Sequence, residues 1–107
     1  MKAINFSKHA NDRLNGRMSG IVSQREIQAA VYEAGKLGVG ETAIKVKRLP
    51  RVITVSDRDG SVSQGDVVIA VYRRSNLLDA GCVTTVELRC HWQNDSGRWT
   101  QVIDLTI

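Results

Sequence analysis

"DVVIAVYRR", residues 66–74, is an apolar run from Val67 to Tyr72 with Asp66 in front of it and Arg73-Arg74 behind. It shows no alternation of apolar and polar side chains. A strand of this kind is covered on both faces, which predicts the central strand of a sheet. Upstream, the residue pattern is also extended. Thr42 to Leu49 (TAIKVKRL) and Arg51 to Ser56 (RVITVS) read as two strands separated at Pro50. Proline has no N–H to give to a ladder, so Pro50 marks a bend or a sheet edge. Asp57-Arg58-Asp59-Gly60 reads as a turn, lengthened by Ser61 to Gly65, and Ser75 to Gly81 reads as a loop.

Downstream, Cys82 to Trp92 and Arg98 to Ile107 flank Asn94-Asp95-Ser96-Gly97, the composition of a hairpin turn. Pairing Gln93 with Arg98 sets Trp92 opposite Trp99, Leu88 opposite Ile103 and Val86 opposite Leu105. One face of that hairpin is then apolar. The other carries Thr85, Glu87, Arg89, His91, Arg98, Thr100 and Asp104. A slip of one residue would mix the two faces, so the pattern specifies one register.

The N-terminal third is helical in period, after a short extended lead-in over residues 2–6. Ser7 is an N-cap for a first helix over about 8–17, whose apolar row is Phe6, Ala10 and Leu14. Ser23 and Glu26 stand three apart as a capping box, with Val22 and Ile27 placed as a hydrophobic staple. Ile27, Ala30, Val31 and Ala34 then repeat as one buried stripe, and Gly35 stops the second helix, over about 24–34. The expectation is a single α+β domain over residues 1–107. Two N-terminal helices pack on one face of a mainly antiparallel sheet of about five strands, at about 42–49, 51–56, 66–74, 82–92 and 98–106.

A chain of 107 residues with 42% apolar content supports one modest core. No stretch approaches the roughly 20 apolar residues of a membrane span. The N-terminus lacks the apolar segment of a signal peptide, so a cytoplasmic location is expected. Cys82 and Cys90 would lie roughly 26 Å apart along one strand. A disulfide needs Cα atoms within about 7 Å. They read as small buried apolar residues, and neither they nor the two histidines suggest a metal site. The net charge of +4 favours an anionic partner.

His9, Arg13 and Arg17 fall four apart, on one side of the first helix and bordering its apolar row. Near the helix start, the dipole disfavours a protonated imidazole, which suits His9 to act as a base. Arg13 and Arg17 would hold phosphate, and Arg89 and His91 would face them from the sheet. Metal-independent RNA cleavage needs a base, an acid and cations for the pentacovalent phosphate, and these side chains can supply them. The plain alternative is a packed histidine with two solvated arginines. Lys45, Lys47, Arg48 and Arg51 make either an electrostatic footprint or the protection of an edge strand. Arg73 and Arg98 are further cations that could meet a nucleic acid. The glycine-rich Gly35 to Gly40 lacks the order of a phosphate loop and reads as a connector.

Phe6-Ser7-Lys8-His9-Ala10, then Arg13-Leu14, Arg17 and Gly20-Ile21, resemble the opening of the DUF4258 family of small prokaryotic and phage-associated domains. Here Met18-Ser19 is inserted between Arg17 and Gly20, and the strand region is longer. The resemblance implies the RelE-like (BECR) fold of RNase toxins, with His9 and Arg13 as the positions to carry over. It also implies RNA engagement, in the form of a metal-independent endoribonuclease or toxin-like protein with no cofactor. RNA or an antitoxin or host protein is the implied partner. The alternative expectation is a non-catalytic interaction module, such as a small phage-encoded inhibitor of a host protein.

Overall fold

In a computed structural model the chain forms α1 (Lys8–Asn15), α2 (Gln24–Ala34), β1 (Gly40–Ser56), β2 (Val62–Arg74), β3 (Cys82–Arg89) and β4 (Gln101–Asp104). The structure describes residues 4–35, 37–57 and 59–107. Residues 2 and 3 of the expected lead-in, Lys36 of the connector and Arg58 of the turn lie outside the described residues.

The strand order is β3-β2-β1-β4. β2 is therefore internal, and Val67 to Tyr72 are all buried. Alternation divides them. Val68, Ala70 and Tyr72 join Ala10, Leu14, Met18, Ile27 and Val31 in the main core, beneath the helices. Val67, Ile69 and Val71 face the other way and form a second cluster with Ala43, against which Trp99 packs. The helix caps are those expected. Ser7 Oγ accepts from the Ala10 N–H at 3.0 Å and donates to the Thr84 carbonyl at 2.9 Å, which ties the start of α1 to β3. Ser23 Oγ accepts from the Glu26 N–H at 3.1 Å.

Four features of the sequence reading are corrected. α1 stops at Asn15, because Gly16 is its C-cap, so Arg17 lies in the turn beyond the helix. The two strands expected on either side of Pro50 are one long strand, so among the described residues the sheet has four strands and not five. Pro50 still marks an irregularity. Pairing to β2 shifts between Arg48 and Ile53, leaving Leu49 to Val52 bulged out opposite Asp66. β2 also begins at Val62, so residues 62–65 belong to the strand and not to a loop.

The fourth correction is the largest. β3 and β4 are not a hairpin. β3 pairs antiparallel with β2 and ends at Arg89, whereas β4 pairs parallel with β1 at the opposite edge, Thr42 beside Gln101 and Lys45 beside Asp104. Between them the chain crosses the face of the sheet opposite α1 and α2. The physical reason lies in β2. Its second apolar face must leave water, both helices are committed to the first, and the segment bearing Trp99 closes over it. The like-charge juxtaposition of Glu87 and Asp104 in the hairpin register disappears. Glu87 instead meets Arg98 at 3.3 Å and Asp104 meets Lys45 at 3.9 Å.

Candidate functional site

Arg13 of α1 and Arg17, in the turn just beyond it, converge on one carboxylate, Asp57, at the tip of the β1–β2 hairpin. Asp57 Oδ2 accepts from Arg13 Nη1 and from Arg17 Nε, both at 2.8 Å, and Oδ1 accepts from the Arg17 backbone N–H at 2.8 Å. Arg17 Nη2 also donates to Ser61 Oγ at 2.8 Å. Gly16 makes the approach possible, because a Cβ there would stand 2.6 Å from Asp57 Oδ1. These arginines thus fasten the hairpin tip to the end of α1. His9 is exposed, and its Nε2 accepts from Arg13 Nε at 3.3 Å. A cleft of about 510 Å³ opens there, lined by His9, Asp12, Arg13, Asn15, Gly16, Asp57 and Asp59. Hydrogen bonds from the Ser61 hydroxyl and N–H hold the Asp59 carboxyl below its ordinary pKa. Three carboxylates around one imidazole disfavour a phosphate in this cleft.

Arg89 does not face this cleft. It is paired across the ladder with Val67, on the side of the sheet away from α1, and its guanidinium is bound to Asp95. Arg98 is likewise occupied, by Glu87 and by the ring of Trp99 4.9 Å away. Lys47 reaches Glu26 of α2 at 2.9 Å, while Pro50 and Arg51 stand exposed along a stretch of β1 that β4 does not cover. That is the arrangement of a protected edge. Arg73 is exposed near the far end of β2. The opposed site of His9 and Arg13 against Arg89 and His91 is therefore not assembled around this cleft.

His91 has a different setting, built around Asp66. This carboxylate opens an apolar strand and is only 3% exposed. On one side of it the ladder to β1 is interrupted by the bulge and resumes at Ile53 with Gly65, and on the other the ladder to β3 ends at Val67 with Arg89. The interruption leaves room for side chains to reach Asp66. His91 donates its backbone N–H to Oδ1 at 2.8 Å and sets Nδ1 2.5 Å from Oδ2. Arg48 Nε lies 3.5 Å from the same Oδ2. Burial raises the Asp66 pKa. The hydrogen bonds from the His91 ring and backbone, with the attraction of His91 and Arg48, outweigh it and leave the carboxyl below its ordinary value.

A carboxylate on Nδ1 selects the tautomer of the neutral ring, in which Nδ1 carries the proton and the Nε2 lone pair lies on the opposite side. His91 and Arg48 are half exposed at their side chains, 43% and 53%. The turn that presents His91 is closed twice, by Gln93 N–H to the Cys90 carbonyl at 3.0 Å and by the Cys90 N–H to Gln93 Oε1 at 2.8 Å. The group is an oriented imidazole with a guanidinium beside it, both open to water and both anchored on a buried anion. Among the described residues, no cluster of His, Cys, Asp or Glu that could hold a metal ion is present. No helix among them is long and apolar enough to cross a membrane.

Sequence reasoning missed Asp57 and Asp66. Asp66 had a signal: a carboxylate entering a strand buried on both faces requires a partner. Asp57 had none, because only the folded hairpin brings it to α1. Comparison with protein-family models, with curated proteins and with solved structures finds no match for this chain.

Proposed function

We propose that this domain engages RNA, and that the Asp66–His91 pair with Arg48 is where acid–base chemistry on it takes place without a metal. One observation carries the reading. A buried carboxylate grips both the backbone and the ring of a half-exposed histidine, whose Nε2 has no partner among the described residues. In this role Nε2 takes the 2′-hydroxyl proton as that oxygen bonds to phosphorus. The bond from phosphorus to the 5′-oxygen breaks, leaving a 2′,3′-cyclic phosphate, and the departing 5′-oxygen takes a proton from water. Asp66 steadies the imidazolium that forms, and Arg48 meets the charge building on the phosphoryl oxygens. The RelE-like fold belongs to the same proposal, supported by two helices preceding the sheet and lying on one face of it. Arg13 then serves to fasten the hairpin, with His9 accepting from it, and neither takes part in the chemistry.

The test is incubation of purified protein with total RNA, with and without EDTA. Cleavage that survives EDTA, vanishes in His91→Ala, drops in Asp66→Asn and persists in His9→Ala supports the reading. Intact RNA at high protein concentration rejects it. A second reading, a non-catalytic module that binds a host protein, is favoured by Leu77 and Leu78. These are 69% and 98% exposed on a loop that Arg74 and Asp79 brace from within. A single stoichiometric protein captured from nuclease-treated lysate, and lost in Leu78→Asp, would select it.

A further inference from the structure

The two tryptophans differ in setting. Trp99 is packed over Val67, Ile69 and Val71 and is crossed by the Arg98 guanidinium. Trp92 is 65% exposed, although it is the largest kind of apolar side chain and follows directly on His91. Its indole meets the His91 imidazole edge to face, with centroids 5.0 Å apart and planes at 82°. The turn that carries both rings is closed by the two hydrogen bonds between Cys90 and Gln93, so the backbone that presents the indole beside His91 is fixed before any ligand arrives.

From this juxtaposition we infer that Trp92 is a stacking platform for a nucleobase, and that the site takes single-stranded RNA. The inference rests on the proposed function and specifies its substrate. A nucleobase has the flat apolar faces that match an exposed indole, and stacking of this kind tolerates any base. The neighbouring cation supplies the other half of the match, because Arg48 attracts the phosphate attached to that nucleotide. A nucleotide stacked on Trp92 has its ribose beside the imidazole, which is where the 2′-hydroxyl must lie for His91 to reach it. Bases inside a duplex have both faces occupied by their neighbours and offer nothing to the indole.

The experiment titrates the full chain with a short 2′-O-methyl RNA, which has no free 2′-hydroxyl and stays intact, as a single strand and as a duplex. Tryptophan emission of the wild type and of Trp99→Phe, which keeps Trp92 as its reporter, is quenched by the single strand and much less by the duplex. Trp92→Ala weakens single-strand binding about 10- to 100-fold, and Trp92→Phe restores most of it. Strong binding that Trp92→Ala leaves untouched, or equal binding of the duplex, overturns the inference while the RNA reading stands. Failure of the wild type to bind or cleave any RNA overturns both. Trp92-dependent capture of a protein in place of RNA overturns it in favour of a protein partner.

Discussion

Replacing Asp57 by alanine should destabilise the domain severely while leaving the His91 site in place. Asp57 accepts three hydrogen bonds at 2.8 Å, two from guanidinium groups and one from a backbone N–H. A hydrogen bond to a charged group is worth about 1.5–3 kcal/mol. The three are not additive, since they share one carboxylate. They are also not equally dry: the Arg13 side chain is 24% exposed, so water recovers part of its loss, whereas Arg17 is only 9% exposed. Breaking a fully buried pair costs about 3–5 kcal/mol, and this half-buried one should cost about 3 kcal/mol. For a domain of this size that lowers the melting temperature by roughly 10–20 °C. Asp57→Asn keeps an acceptor for the Arg17 N–H and should lose about half as much. Urea unfolding followed by tryptophan fluorescence measures both variants. A loss under about 1 kcal/mol for Asp57→Ala, with an unchanged denaturant slope, would refute the view that these arginines are structural.

Two further outcomes follow from the surroundings of Asp66. Gly65→Ala should destabilise by about 3 kcal/mol in the same assay, because the new Cβ would stand 2.4 Å from the backbone oxygen of Arg89, which has no slack to yield. The Asp66 carboxyl has its pKa lowered on folding, so its contribution to stability is complete above the unfolded value near about 3.9. That contribution disappears as pH falls through the lower folded value. Wild type measured by urea unfolding between acid and neutral pH should therefore lose more stability on acidification than Asp66→Asn. Parallel curves for the two proteins would contradict this.

Much of the architecture was legible because local rules fix it. Ser7, and Ser23 with Glu26, begin helices for reasons confined to a few neighbouring residues. The lack of alternation in Val67 to Tyr72 stated that β2 is internal, and Pro50 stated that the ladder falters there. The hairpin register failed for an instructive reason. It optimised the faces of two neighbouring segments against each other, although Val67, Ile69 and Val71 also needed a cover. Asn94 to Gly97 has turn composition, but composition does not say which strand receives the chain afterwards.

The cations show the same division. The sequence by itself determined that His9 and Arg13 lie along one side of α1, because helical period alone places them so, and that a charged residue opens the central strand. Only the tertiary structure decided that Arg13 and Arg17 close on Asp57 and that His91, not His9, is oriented by a buried carboxylate. Both contacts join residues far apart in the chain. Their energy comes from a desolvated carboxylate meeting its hydrogen-bond donors, a quantity that exists only once the sheet and the helices have excluded the water between them.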